Sequence, residues 1–524
     1  MSVQGIEVQP SENLINPQSL SRIAICLAFL VGIMVFANMQ FGTATGGGTF
    51  LVVAAMVGGY MALNIGANDV ANNVGPAVGS GALTMIAAIS LAAIFEVSGA
   101  MIAGGDVVGT IKKGIIDPAM IDDPSIFVWL MLAALFAGAL WLNIATYVGA
   151  PVSTTHSIVG GVLGAGIAAG GWQIANWDKV MTIAASWIIS PILGGLTAAL
   201  FLYLITRLII DQKDLITAAR RYVPYLLSVM AFAFTSYIVL KGLKKIWKVD
   251  FATAGLIGLA CAVLVFLIVK PLIARASMRL TNDRESINQL FVVPLIFAAA
   301  LLSFAHGAND VANAVGPLAA ISDVLGNGGV STKAVIPIWV MVIGALGIAV
   351  GLALYGPKLI RTVGSEITHL DKMRAFCVAL AAAITVIIAS QAGLPVSSTH
   401  IAVGGVFGVG FLREYLNAYR ERMNHEIEHS IRGEDPNAVA EFLDAFRLAA
   451  VADQGVMLKD LRKNGCRKLY LANKDRRVLR TVNRKELVKR SMLVKIAAAW
   501  IITVPASASI AAMMFYMIRG FMLP

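Results

Sequence analysis

Two stretches of this chain place carboxylates and amides where a lipid bilayer would expel them. GANDVANNVGPA (Gly66–Ala77) carries Asn68, Asp69, Asn72 and Asn73 between the oily runs TFLVVAAMVGGYMALNI and ALTMIAAISLAAIF. GANDVANAVGPL (Gly307–Leu318) carries Asn309, Asp310 and Asn313 in a similar setting. A buried carboxylate without a partner is costly, so Asp69 and Asp310 call for a cation, a proton or a hydrogen-bond cage. Their oxygens, with those of the asparagines, suit a hard cation such as Na⁺. Gly66, Gly75 and Pro76, with Gly307, Gly316 and Pro317, can interrupt a helix and free carbonyls as further ligands.

A second pair follows. PVSTTHSIVGGVLGAG (Pro151–Gly166) recurs as PVSSTHIAVGGVFGVG (Pro395–Gly410), 82 residues after Asp69 and 85 after Asp310. Ser153, Thr154 and Thr155, and likewise Ser397, Ser398 and Thr399, follow a proline and precede a Gly-rich apolar stretch, the arrangement of an N-cap at a half-helix start. Hydroxyls and free N–H groups at two such starts form a site for an oxyanion. None of the four motifs holds a Lys or Arg, so an anion there has its charge offset by helix ends and co-bound cations. His156 and His400 either bond that anion or orient the loop; no Cys or third His accompanies them to suggest zinc. Taken singly, a membrane Ser/Thr back-bonds to its own helix and an NDxxN is helix–helix glue. Two matched copies of both motifs favour a functional site, and such duplication is the mark of secondary transporters.

The elements that hold these residues follow from composition. Of 524 residues, 58% are hydrophobic and 14% charged, with mean hydropathy +0.78; a soluble chain carries about 25% charged residues. Apolar runs of about 18 to 25 residues match the hydrocarbon thickness in helical form. They fall near 22–41, 49–65, 82–104, 126–148, 181–207, 222–241, 251–275, 289–305, 336–356, 374–390 and 492–518. The Gly-rich stretches 157–171 and 401–412 are too short to cross and suit half-helices or re-entrant hairpins. The expected fold is an all-α polytopic membrane protein of about 10–12 helices. It carries broken half-helices, two repeats expected to be inverted, and a helical cytoplasmic insertion. Cys26, Cys261, Cys377 and Cys466 form no CxxC pair and imply neither a disulfide frame nor zinc. The net charge of +11 reflects cytoplasmic loops in such a chain rather than a nucleic-acid partner.

Basic residues orient the chain. Segment 413–491 holds 18 of the 41 Lys and Arg and is placed in the cytoplasm by the positive-inside rule, with Lys270–Arg284 on the same side. Segments 207–221 and 241–248 (KGLKKIWK) are both basic yet separated by a single span, so one of them violates that rule. The expected organisation is an N-terminal tail (1–21), a first transmembrane repeat (22–206), connecting helices and a central loop (207–287), a second repeat (288–412), the basic insertion (413–491) and a last transmembrane helix (492–524). The insertion reads as a solvated block meeting anionic headgroups, with a cytoplasmic regulator as the alternative.

With its motifs in place, the sequence resembles the inorganic phosphate transporter family, the Na⁺- or H⁺-coupled carriers of the phosphate permease superfamily. The likeness runs from about residue 49 to 412 and again over 492–518. It is carried by GANDVANNVGP, GANDVANAVGP, PVSTTH, PVSSTH and, less specifically, ASWIISPILGG (Ala185–Gly195). The resemblance implies inverted repeats, a homodimer and symport of inorganic phosphate with Na⁺. It implies Asp69, Asn72, Asp310 and Asn313 as Na⁺ ligands, with Asn68 and Asn309 beside both ions. Ser153, Thr154, Thr155, Ser397, Ser398 and Thr399 would hold phosphate. Glu96, in IFEVSG, matches a family glutamate implicated in transport, and the second-half acidic position of animal relatives falls at Ala379. The long insertion departs from the family's short loop, and the short central loop at 276–288 suggests a prokaryotic member in the inner (cytoplasmic) membrane.

The function expected is therefore import of phosphate by Na⁺ symport, through alternating access around a midplane site. It involves no enzyme chemistry and no cofactor beyond co-transported Na⁺, or H⁺ in its place. The rivals are the same fold carrying sulfate or coupled to H⁺, and a phosphate-sensing receptor or channel. Two buried aspartates are more than a passive pore needs.

Overall fold

A computed structural model of the protein describes residues 17–42, 48–150, 152–242, 249–327, 336–365, 370–430, 445 and 490–522. Most of the insertion beyond Ser430, the first sixteen residues, Pro151 and most of KGLKKIWK lie outside them. Among the described residues the secondary structure is helical, with one isolated β-bridge between Ile116 and Ala175. Eleven helical segments are long and apolar enough to cross a membrane, within the expected range.

The first half comprises α1 (Pro17–Phe41), α2 (Gly48–Asn68), α3 (Ala71–Gly79), α4 (Met85–Ala103), α5 (Gly105–Lys113), α6 (Pro124–Val148) and α7 (Thr154–Gly170). Then come α8 (Trp177–Ile205), α9 (Leu215–Tyr237), α10 (Phe251–Ala276) and the short α11 (Arg284–Gln289). The second half holds α12 (Val292–Asn327), α13 (Ile338–Ser365), α14 (Lys372–Gln391), α15 (Ser398–Ser430) and α16 (Arg490–Met522). The spans formed by α2–α3, α6, α12 and α14 are mostly buried, whereas α1, α10 and α16 turn most of their apolar surface outward. That outward greasiness is what lipid demands.

Small residues set how the halves mesh. Gly307 on α12 lies against the Glu96 carbonyl on α4, and Gly66 on α2 lies against the Ile348 carbonyl on α13. In both crossings the glycine meets another helix's backbone so closely that a Cβ would displace it. The same match recurs one layer out: α7 packs Gly160 and Gly164 on α16, while α15 packs Gly404 and Gly408 on α8. By these contacts Ile348, rather than Ala379, stands in the second half where Glu96 stands in the first.

The structure departs from expectation at the two polar stretches. In the first, the interruption falls at Asp69–Val70, between α2 and α3, rather than at the glycines or Pro76. A turn closes it: Asn72 N–H donates to the Asp69 carbonyl at 3.0 Å and Asn73 N–H to the Val70 carbonyl at 3.0 Å. In the second, α12 runs unbroken through Gly307, Gly316 and Pro317. There His306 and Asp310, one turn apart on the same face, hold each other at 2.8 Å. The apolar stretch 401–412 is likewise no separate half-helix, since α15 carries on into the charged segment to Ser430.

The orientation conflict resolves. Leu215 N–H donates to Asn282 Oδ1 at 2.8 Å, Asn282 Nδ2 to the Lys213 carbonyl at 2.9 Å, and Arg220 Nε to Ser277 Oγ at 2.6 Å. Segment 207–221 therefore shares a face with 277–284. Arg284 lies 3.8 Å from Asp371, which also meets Arg374 at 3.3 Å, so the start of α14 joins that face. α9 leads away from that face towards KGLKKIWK, of which residues 243–248 lie outside the described residues.

Candidate functional site

The two Ser/Thr loops begin α7 and α15 as the sequence predicts. Ser153 Oγ accepts from His156 N–H at 3.1 Å and Ser397 Oγ from His400 N–H at 3.2 Å. Both serines are thus N-caps, each keeping its hydroxyl proton for another acceptor. The first-turn N–H groups beyond them have no acceptor within their own helix, so each loop presents donors with a positive helix end behind them.

The acidic stretches meet these loops crosswise. Thr154 Oγ1 donates to Asp69 Oδ2 at 2.6 Å, and Thr399 Oγ1, from the other half, donates to Asp69 Oδ1 at 2.9 Å. Ser398 Oγ donates to Asp310 Oδ2 at 2.9 Å. Asn72 Nδ2 reaches Thr399 Oγ1 at 2.9 Å, while Asn313 Nδ2 reaches Thr154 Oγ1 at 3.0 Å and Thr155 Oγ1 at 3.2 Å. Asn68 Nδ2 donates to Thr146 Oγ1 at 3.0 Å and to the Ala150 carbonyl at 3.2 Å, and Asn309 Nδ2 to the Val396 carbonyl at 2.9 Å. All of these side chains except Thr146 are buried. Four of their acceptor atoms receive no hydrogen bond: Asp310 Oδ1 and Oδ1 of Asn72, Asn309 and Asn313. Buried oxygens in that state are candidate ligands for an ion or a water.

Two residues at this site are given no role by the sequence reading. His306 and Asn73 both bind Glu96, on α4: Asn73 Nδ2 donates to Glu96 Oε1 at 2.7 Å, and His306 Nδ1 lies 2.8 Å from Glu96 Oε2. His306 Nε2 in turn lies 2.8 Å from Asp310 Oδ2, outside hydrogen-bond geometry, so that contact is electrostatic. Asp69, His306 and Asp310 bring one ligand atom each within 4.8 Å of one another. His306 sits four residues before Asp310, in SFAHGAND, where the first half reads ALNIGAND; a histidine in place of Ile65 was the signal.

His156 and His400 stand apart from the aspartates in a row of rings. Trp187 lies 3.8 Å from His156, His156 4.4 Å from His400, and His400 3.6 Å from Trp500, centroid to centroid. Trp187 and Trp500 come from α8 and α16, so the row ties the starts of α7 and α15 to the helices that follow each of them. Here the imidazoles pack against aromatic rings.

A bundle of membrane-length helices that closes two matched half-sites around buried carboxylates, amides and hydroxyls is a polytopic membrane transporter. The chain belongs to the phosphate transporter family, whose sequence profile, described as "Phosphate transporter family", matches residues 65–511. A Helicobacter pylori relative named "Putative phosphate permease" is 52% identical over 503 residues, covering 94% of each chain. A Haemophilus influenzae relative of the same name is 38% identical over 375 residues, 70% of this chain and 89% of that one. Among solved structures, "The sodium-dependent phosphate transporter" superposes with a TM-score of 0.73 at 32% identity, over 91% of this chain and all of that one. The protein is thus a multi-pass member of a transporter family rather than an enzyme.

Proposed function

We propose that the protein imports inorganic phosphate by symport with Na⁺, alternating access around the site described above. The observation that carries the reading is the crosswise meeting of each acidic stretch with the Ser/Thr loop of the other half. Phosphate would be bound by the hydroxyls of Ser153, Thr154, Thr155, Ser397, Ser398 and Thr399 and by the N–H groups opening α7 and α15. Na⁺ would be bound by Asp69, Asn72, Asp310 and Asn313, with Asn68 and Asn309 between the two ions. Neutral donors alone bind a multiply charged oxyanion poorly in a low dielectric, so cations bound alongside supply the missing positive charge. That dependence is the physical basis of coupling.

The reading includes inverted repeats and a homodimer in the inner membrane. Its test is ³²P-phosphate uptake by proteoliposomes carrying Asp69→Asn or Asp310→Asn. Each substitution is expected to abolish Na⁺-driven uptake while the protein stays folded by circular dichroism. Near-normal Na⁺ dependence in both would refute the cation assignment.

A further inference from the structure

The two halves share one more match. IAASWIIS (Ile183–Ser190) on α8 recurs as IAAAWIIT (Ile496–Thr503) on α16. Trp187 and Trp500 each lie against the histidine in the Ser/Thr loop of their own half, His156 at 3.8 Å and His400 at 3.6 Å. Their indole N–H groups, which can only donate, then differ. Trp187 Nε1 donates to the Pro395 carbonyl, in the loop of the other half, at 3.1 Å. Trp500 Nε1 is buried and meets no acceptor among the described residues.

Trp187 is one of three first-half donors on that loop. Thr110 Oγ1, on α5, donates to the Gly393 carbonyl at 2.7 Å, and Thr155 Oγ1, in the opposing loop, to the Val396 carbonyl at 3.1 Å. Gly393 turns the chain with a φ of +65°, and residues 394–397 form no regular element. Their carbonyls have no ladder or helix to pair with, so side-chain donors fix them. The first loop is held differently. Its Ala150 carbonyl takes Asn68 of its own half at 3.2 Å, and Thr399, the match of Thr155, donates to Asp69 at 2.9 Å.

We propose that Trp187, with Thr110, positions the second Ser/Thr loop for phosphate, a task that its match Trp500 does not share. The loop carries Ser397, Ser398, Thr399 and the first N–H groups of α15. These converge on an anion only while the chain before them is fixed. A loop that leaves this position binds in proportion to the fraction of time it spends there. Losing one anchor therefore weakens phosphate binding without removing any group that touches the anion. This rests on the phosphate reading given above and goes beyond it in naming positioning residues outside the site. Were Trp187 only to fill space beside His156, Trp187→Phe and Trp500→Phe would behave alike.

The test is ³²P-phosphate uptake by proteoliposomes of the full chain in excess Na⁺, with KM and maximal rate measured separately. Trp187→Phe keeps a ring beside His156 and loses the donor to Pro395. Its KM for phosphate is expected to rise about three- to tenfold, the worth of one hydrogen bond, at a nearly unchanged maximal rate per folded protein. Trp500→Phe makes the same change of size with no bond to lose and should keep the wild-type KM. Thr110→Val, which frees the Gly393 carbonyl, should raise KM as Trp187→Phe does. Equal KM values in the two Phe variants, or a lower maximal rate at wild-type KM in Trp187→Phe, would overturn the proposal. If Trp187→Phe does not fold, Thr110→Val decides, and a wild-type KM there is equally fatal. Wild-type proteoliposomes that take up no phosphate would instead refute the phosphate reading itself, and this inference with it.

Discussion

Asp69 and Asp310 are tolerated in the bilayer because hydroxyls reach them from the loops that open α7 and α15. Removing one such donor leaves a carboxylate oxygen buried without its hydrogen bond. Thr154→Val should therefore lower stability by about 1–3 kcal/mol, read as a fall in melting temperature, while Thr154→Ser, which keeps the donor to Asp69 Oδ2, should restore it. Equal losses in both variants would mean that the threonine methyl, not its hydroxyl, matters there. At this scale most of the site was legible in the sequence, since Asp, Asn, Ser and Thr stand out sharply in an apolar run. His306 did not stand out, being a lone histidine in the flank of a motif whose core drew the attention. Asn73 was visible as the one change from GANDVANN to GANDVANA, but only the fold brings Glu96 to it from α4. Ser153 and Ser397 cap α7 and α15 as the sequence predicts.

Helix crossings place those residues, and two kinds of substitution probe them. Ala normally stabilises a helix relative to Gly by roughly 0.5–1 kcal/mol. At Gly307 the added Cβ would run into the Glu96 carbonyl, so Gly307→Ala should destabilise by about 1–3 kcal/mol. A raised melting temperature would contradict the close crossing of α12 and α4. Outside the membrane, Asp250 caps α10, and bonds from the Thr253 hydroxyl, then from backbone N–H groups, hold its carboxyl below the ordinary carboxylate range. A depressed value means that the cap's stabilisation is present above about pH 4 and is lost as pH falls through the folded value. Asp250→Asn, still a competent cap, should flatten that acid-side loss of melting temperature and leave neutral pH little changed. Span positions were readable from hydropathy, whereas the site of the helix break was not. Gly75 and Pro76 look like the breakers, yet the chain turns at Asp69–Val70, where the Asn72 side chain also caps the freed Asp69 carbonyl at 3.0 Å.

Across the whole molecule, hydropathy and charge conveyed the class of protein but left a contradiction over which basic loop faces which way. The contacts of Lys213 and Arg220 with Asn282 and Ser277 decide it, because such pairings join loops distant in sequence. In a chain freed of its native cysteines, a Cys at 213 should react with an impermeant thiol reagent only from the cytoplasmic side, and a Cys at 250 only from the opposite side. Labelling of both from one side would contradict this topology. The two matched halves matter because they bring two acidic stretches and two hydroxyl loops to one place, and the claim that follows is coupled transport. Its most direct test is phosphate uptake into proteoliposomes of the wild-type chain, with Na⁺ and pH gradients imposed one at a time and sulfate offered as competitor. Uptake should follow the inward Na⁺ gradient, ignore the pH gradient and resist sulfate. Uptake that ignores Na⁺ and follows the pH gradient, or that sulfate blocks as well as unlabelled phosphate does, would contradict the account.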